Sequence, residues 1–128
     1  MSNPKISTFF MFNGKAEEAM NFYTSVFDQS EIKHVYYQED GTVMHAAFSL
    51  KGQSFMAIDN SNKHDTPFTP AISLFVDCDN EEEINRVFER LMEEGKVLMP
   101  LSPLPFSEKF GWVEDKYGVS WQLNLPKR

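Results

Sequence analysis

Apolar positions along the chain fall into two helical stripes and several runs of strand type. Ile84, Val87, Phe88, Leu91 and Met92 recur at i, i+3, i+4, i+7 and i+8, which predicts an amphipathic helix. Asn80 and Glu83 have capping-box spacing ahead of it. Glu81 and Glu82 place negative charge where the helix dipole favours it, and Gly95 is expected to supply the stop. An earlier helix is predicted after Asn13-Gly14, burying Ala16, Ala19, Met20, Tyr23, Val26 and Phe27. Strands are predicted over 6–12, 32–37, 43–50, 54–59, 71–77, near 96–99, and over 110–114 and 119–125. Asp40-Gly41 marks a hairpin between the second and third of these, and Lys51-Gly52 turns the third into the fourth. Residues 60–70 are polar, without period, and are expected to link two halves; His34 at the hairpin edge and His64 in this linker are expected to be solvated.

The element order is therefore strand, helix, three strands, given twice, over residues 1–64 and 65–128 of a single domain. The predicted class is α+β: two βαβββ modules forming a curved mixed sheet around a cleft, with the helices outside. Side chains alternate across a strand, so each strand sorts into a helix side and a cleft side. Trp121, Leu123 and Leu125 sort to the helix, and Ser120, Gln122 and Asn124 to the cleft. Ile72, Leu74 and Val76 oppose Ala71, Ser73 and Phe75 in the same way. Met44, Ala46, Phe48 and Leu50 are expected under the helix, with His45, Ala47 and Ser49 in the cleft. In the fourth strand Met56 and Ile58 are expected in the core, and Phe55, Ala57 and Asp59 in the cleft. The first strand is apolar on both faces.

Composition narrows the function classes. At 128 residues the chain buries roughly two-thirds of its unfolded surface and needs no metal or disulfide staple. Its one cysteine fits a reducing compartment, and a cytoplasmic location is expected. No apolar run approaches the roughly 18 residues of a membrane span, and no signal peptide is evident. A net charge of −7 argues against a nucleic-acid partner and an anionic membrane surface.

Three stretches carry a family resemblance: Ala16-Glu17-Glu18-Ala19-Met20-Asn21-Phe22-Tyr23, Ile72-Ser73-Leu74-Phe75-Val76-Asp77, and Val113-Glu114-Asp115-Lys116-Tyr117-Gly118-Val119-Ser120-Trp121-Gln122-Leu123. They resemble the first helix, the strand opening the second module and the closing hairpin of the vicinal oxygen chelate superfamily, which includes glyoxalases and bleomycin-resistance proteins. The opening Phe12-Asn13-Gly14-Lys15-Ala16-Glu17-Glu18-Ala19 is similar to the PhnB-like branch, whose members are often labelled 3-demethylubiquinone methyltransferase-like. The resemblance implies a cleft and, in metal-dependent members, a divalent ion. Matched to this sequence, the ligand positions fall near Ser7, Ala57, Ala71 and Gln122, a set too weak to replace an ion's water shell. No metal is therefore expected. The methyltransferase label would call for a Gly-rich turn between strand and helix, and none of the six glycines forms one, so no cofactor is expected.

The predicted ligand-binding residues are Phe9, Ser49, Phe55, Ser73, Phe75, Trp112, Gln122 and Asn124, with His45 as the candidate catalytic acid or base. Cys78 lies between two carboxylates, which raise a thiol's pKa, so it is assigned to packing. Three functions fit: a metal-independent binder of a small aromatic or quinone-like molecule, a metal-independent enzyme using His45, or a scaffold used mainly for dimerisation. Residues 99–111 hold Pro100, Pro103 and Pro105 between Leu101, Leu104 and Phe106, and are expected to form an apolar loop serving as a lid or a homodimer interface.

Overall fold

A computed structural model describes residues 5–60 and 67–127; His64 lies outside them. The chain divides into two compact units, Met1–Thr66 and Pro67–Arg128. The first contains β1 (Thr8–Phe12), α1 (Ala16–Val26), β2 (Glu31–Tyr37), β3 (Val43–Leu50) and β4 (Gln53–Asp59). The second contains β5 (Ser73–Asp77), α2 (Glu81–Met92), β6 (Lys96–Leu104), β7 (Ser107–Glu114) and β8 (Ser120–Pro126). The α+β class and the βαβββ order are as predicted.

Each unit builds one mixed four-stranded sheet, in the orders β1-β4-β3-β2 and β5-β8-β7-β6. In both, the first strand pairs in parallel with the last, and the remaining pairings are antiparallel. The partners Thr8 and Phe55 are as far apart in sequence as Ser73 and Ser120. One helix covers one face of each sheet, and the other face carries no helix of its own unit.

In the first unit α1 buries Ala16, Ala19, Met20, Tyr23 and Val26, as its spacing predicts. Its N-cap residue, Lys15, makes no side-chain cap bond. Asp59 replaces it from the end of β4: its Oδ1 accepts from Ala16 N at 2.9 Å and its Oδ2 from Val43 N at 2.9 Å. One buried carboxylate thus ties the start of a helix to the start of a strand and satisfies two backbone donors. Between β2 and β3, Gly41 at φ 88° closes the predicted turn, where a side chain would be strained.

β4 corrects the sequence reading. Phe55 and Ala57 pair with Phe48 and Ala46 on β3, and Ala57 with Phe10 on β1. All five lie on the face beneath α1. The ring of Phe55 stacks on Phe10 at 5.7 Å and lies 5.4 Å from Phe48; Phe55 is only 5% exposed. Phe55 is core, and Met56 and Ile58 lie on the face without the helix, aligned with Phe9 and Met11. Met44 also departs: the register shifts between Tyr36 and Tyr37, so Val43 takes the buried place and Met44 is exposed.

In the second unit Asn80 caps α2 by accepting from Glu83 N, and Glu83 Oε1 accepts from Asp79 N. The capping box forms with its reciprocal bond one residue earlier than the pattern predicts. Gly95 does not supply the left-handed stop; Glu94 does, at φ 57°. Gly95 is needed for another reason. A Cβ there would collide with the Glu114 carbonyl oxygen, across the β6–β7 pairing.

The Pro-rich segment is a second correction. It forms an irregular hairpin of β6 and β7, with Phe106 exposed at the turn. β6 is an edge strand, and Pro100 and Pro103 fall in its two later register shifts, where the ladder needs no N–H. Phe110 is buried within β7.

Candidate functional site: the helix-free sheet faces

The predicted site residues divide between two faces, one in each unit. Phe9, His45 and Ser49 lie on the face of the first sheet opposite α1. Ser73, Phe75, Trp112, Gln122 and Asn124 lie on the face of the second sheet opposite α2, as the alternation predicts. Phe55 belongs to neither.

On the first face, His34 Nε2 lies 3.2 Å from His45 Nδ1, and the ring of Tyr36 lies 4.9 Å from that of His34. Sequence reasoning placed His34 at a solvated edge. The shift between Ile32 and His34 moves His34 opposite Ala47 and brings it diagonally beside His45. A bulge gives no reliable signal in an alternation pattern. One imidazole nitrogen of the pair donates and the other accepts, so the contact holds a single proton between the two rings.

The second face is ordered in cross-strand rows. Phe75, Gln122 and Trp112 form one row, with the carboxamide between two aromatic side chains. Gln122 is half-buried. On one side, Trp112 Nε1 donates to Ser120 Oγ at 2.8 Å, and Ser120 Oγ lies 2.6 Å from Ser73 Oγ. This relay fixes the indole plane. On the other side, Asp77, Asn124 and Phe110 form the next row. Asn124 Nδ2 donates to Asp77 Oδ1 at 2.9 Å, while Asn124 Oδ1 is buried and has no hydrogen-bond partner among the described residues. An unpaired buried acceptor costs about 1–3 kcal/mol. Sequence reasoning found Asn124 but not Asp77, which stood there only as a neighbour of Cys78.

The metal set implied by the resemblance does not fit. Ala57 lies fully buried on the helix side of its sheet, and Met56 and Ile58 occupy the opposite face of β4. Among the described residues no three His, Cys, Asp or Glu side chains are grouped to hold a metal ion. A neutral hydroxyl and a neutral amide do not offset a divalent ion's dehydration. At the turn into α2 no nucleotide-type cradle is formed either: it reads Cys78-Asp79-Asn80, followed by three glutamates.

Comparison with known proteins agrees with this architecture. Residues 4–124 match the family described as 3-demethylubiquinone-9 3-methyltransferase. A solved PhnB protein of Bacillus cereus, described by the same activity, is 58% identical with a TM-score of 0.91, over 95% of this chain and 99% of that one. Protein YjdN of Escherichia coli is 29% identical over 70% of this chain, which spans 60% of that relative's length. A glyoxylase/bleomycin resistance protein/dioxygenase domain from Frankia shares the fold at 16% identity, with a TM-score of 0.71 over 99% of both chains. The chain thus belongs to the family described as 3-demethylubiquinone-9 3-methyltransferase, and it shares its fold with the glyoxylase/bleomycin resistance protein/dioxygenase domain.

Proposed function

We propose that this protein binds a small, flat organic molecule, aromatic or quinone-like, without a metal, on the helix-free face of its second sheet. The Phe75–Gln122–Trp112 row carries the reading. Two aromatic side chains offer flat apolar surface, and the carboxamide between them offers both a donor and an acceptor to a ring oxygen. The quinone named in the family's description is a molecule of this kind. The test is a panel of naphthoquinones and hydroxybenzoates followed by thermal shift and tryptophan fluorescence. A binder at 100 times its Kd adds about 2.7 kcal/mol of stability. Gln122→Ala is expected to weaken it by about 1 kcal/mol, or five- to tenfold. Trp112→Phe is expected to remove the ligand-induced quenching, because Trp121 is buried beneath α2. Binding untouched by both substitutions would refute this placement.

A second reading rests on the His34–His45 contact. His45 acts there as general acid or base, and His34 orients its ring. Activity on a bound quinone that falls at least a hundredfold in His45→Ala, with binding unchanged, would favour it. In a scaffold, by contrast, neither face would bind a small molecule.

The same proposal includes a homodimer in the cytoplasm. Phe106 is 61% exposed at the tip of the proline-stiffened hairpin, an apolar group suited to a two-fold contact. No helix among the described residues is long and apolar enough to cross a membrane. Sedimentation at micromolar concentration should give a species near twice 14.8 kDa, reduced to monomer by Leu104→Asp plus Phe106→Asp. A single species of chain mass in the unmodified protein would exclude the stable dimer.

A further inference from the structure

We infer that Ser73 sets the ligand's chemistry: its hydroxyl donates to a ring carbonyl, so the face selects a quinone or aryl ketone over a hydrocarbon or an N–H heterocycle. This rests on the binding reading above and makes it more specific. The direction of the Trp112–Ser120–Ser73 relay follows from donor chemistry. The Trp112 indole N–H can only donate, so Ser120 Oγ accepts it at 2.8 Å. Ser120 is 2% exposed, and among the described residues its hydroxyl is hydrogen-bonded only to Trp112 Nε1 and Ser73 Oγ. Its own hydrogen therefore has one acceptor, Ser73 Oγ at 2.6 Å. The reverse order would leave a buried O–H unpaired, which is the costly arrangement.

Ser73 thus accepts from Ser120 and keeps its own O–H, for which the described residues offer no acceptor. Ser73 is half-buried, so its hydroxyl reaches the solvent side of the sheet. Each donor in such a chain polarises the next, which makes the terminal O–H a better donor than an isolated serine. Ser73 precedes the exposed Phe75 by two residues on the same face, about 6.6 Å along the strand. A ring lying on the Phe75–Gln122–Trp112 row therefore turns one edge toward this hydroxyl. A carbonyl oxygen there carries lone pairs and no hydrogen, and it pairs the one hydrogen the relay leaves over. A hydrocarbon edge would displace the water at Ser73 without replacing its hydrogen bond, and an N–H edge would set donor against donor.

Three bicyclic probes of similar size test this by NMR titration read at the Trp112 indole N–H: indanone with a carbonyl, indene with neither donor nor acceptor, and indole with an N–H. Indanone should bind about three- to tenfold tighter than the other two. It should also shift the Trp112 indole proton downfield by more than indene does, because a bond at Ser73 strengthens the whole relay. Ser73→Ala should bring the preference below twofold, abolish the extra shift and leave the affinity for indene unchanged. Ser73→Thr keeps a hydroxyl on a residue that strands favour and should retain most of the preference. Equal affinity for the three probes, or a preference that survives Ser73→Ala, would overturn the inference. If only naphthoquinones bind, Ser73→Ala is read on them, and an unchanged affinity overturns it equally. In either case the broader binding reading stands as long as naphthoquinones quench Trp112. If neither these probes nor the quinones bind, both are refuted.

Discussion

Asp115→Ala should destabilise the protein by about 3–5 kcal/mol, among the largest effects of any single polar substitution. Asp115 is buried in the turn between β7 and β8. Its Oδ1 accepts from Tyr117 N at 2.8 Å and from Val119 N at 3.0 Å, and its Oδ2 accepts from Trp121 Nε1 at 2.9 Å. Alanine would strand three donors in a site where little water can replace the carboxylate. It would also release the indole of Trp121, the largest fully buried side chain. Asp115→Asn keeps one good acceptor and should cost less. The measurement is the urea midpoint followed by fluorescence. A loss below about 1 kcal/mol would show that the turn holds without its carboxylate.

Phe55→Ala is the second large effect, expected at about 3–5 kcal/mol, against about 1 kcal/mol for the half-buried Met56→Ala. The pair tests the register of β4. Removing Phe55 takes the ring that stacks on both Phe10 and Phe48 and leaves a cavity beneath α1. A reversed ranking would mean that β4 has its other face toward the helix, because a one-residue slip exchanges the two sets. Ligand binding is expected to be unaffected by Phe55→Ala at temperatures where the variant is folded.

What the sequence disclosed depended on contrast between neighbouring positions. Ser120-Trp121-Gln122-Leu123-Asn124 alternates polar and apolar, and its faces are as predicted. Both helices are legible because charged residues separate their stripes. β4 gives no such contrast: Phe55, Met56, Ala57 and Ile58 are all apolar, so period two cannot choose a face. Only the pairing with Phe48 and Ala46 decides it. Proline in 99–111 reads as loop, yet an edge strand tolerates it at register shifts. The His34–His45 contact was hidden by a bulge. The orphaned Asn124 oxygen could not be read at all, because satisfaction of a polar atom depends on three-dimensional neighbours.

The parallel pairing of first and last strands sets how each unit can assemble. β1 cannot find its partner until β4 is made, nor β5 until β8 is made, so each sheet closes across nearly its whole unit. The hairpins β2–β3, β3–β4, β6–β7 and β7–β8 have far shorter loops to close and should nucleate folding, with β1 and β5 adding last. On the ribosome both leading strands wait with unpaired edges for most of their unit's synthesis. Pulsed hydrogen exchange during refolding should therefore protect the amides of β3, β7 and β8 before those of β1 and β5.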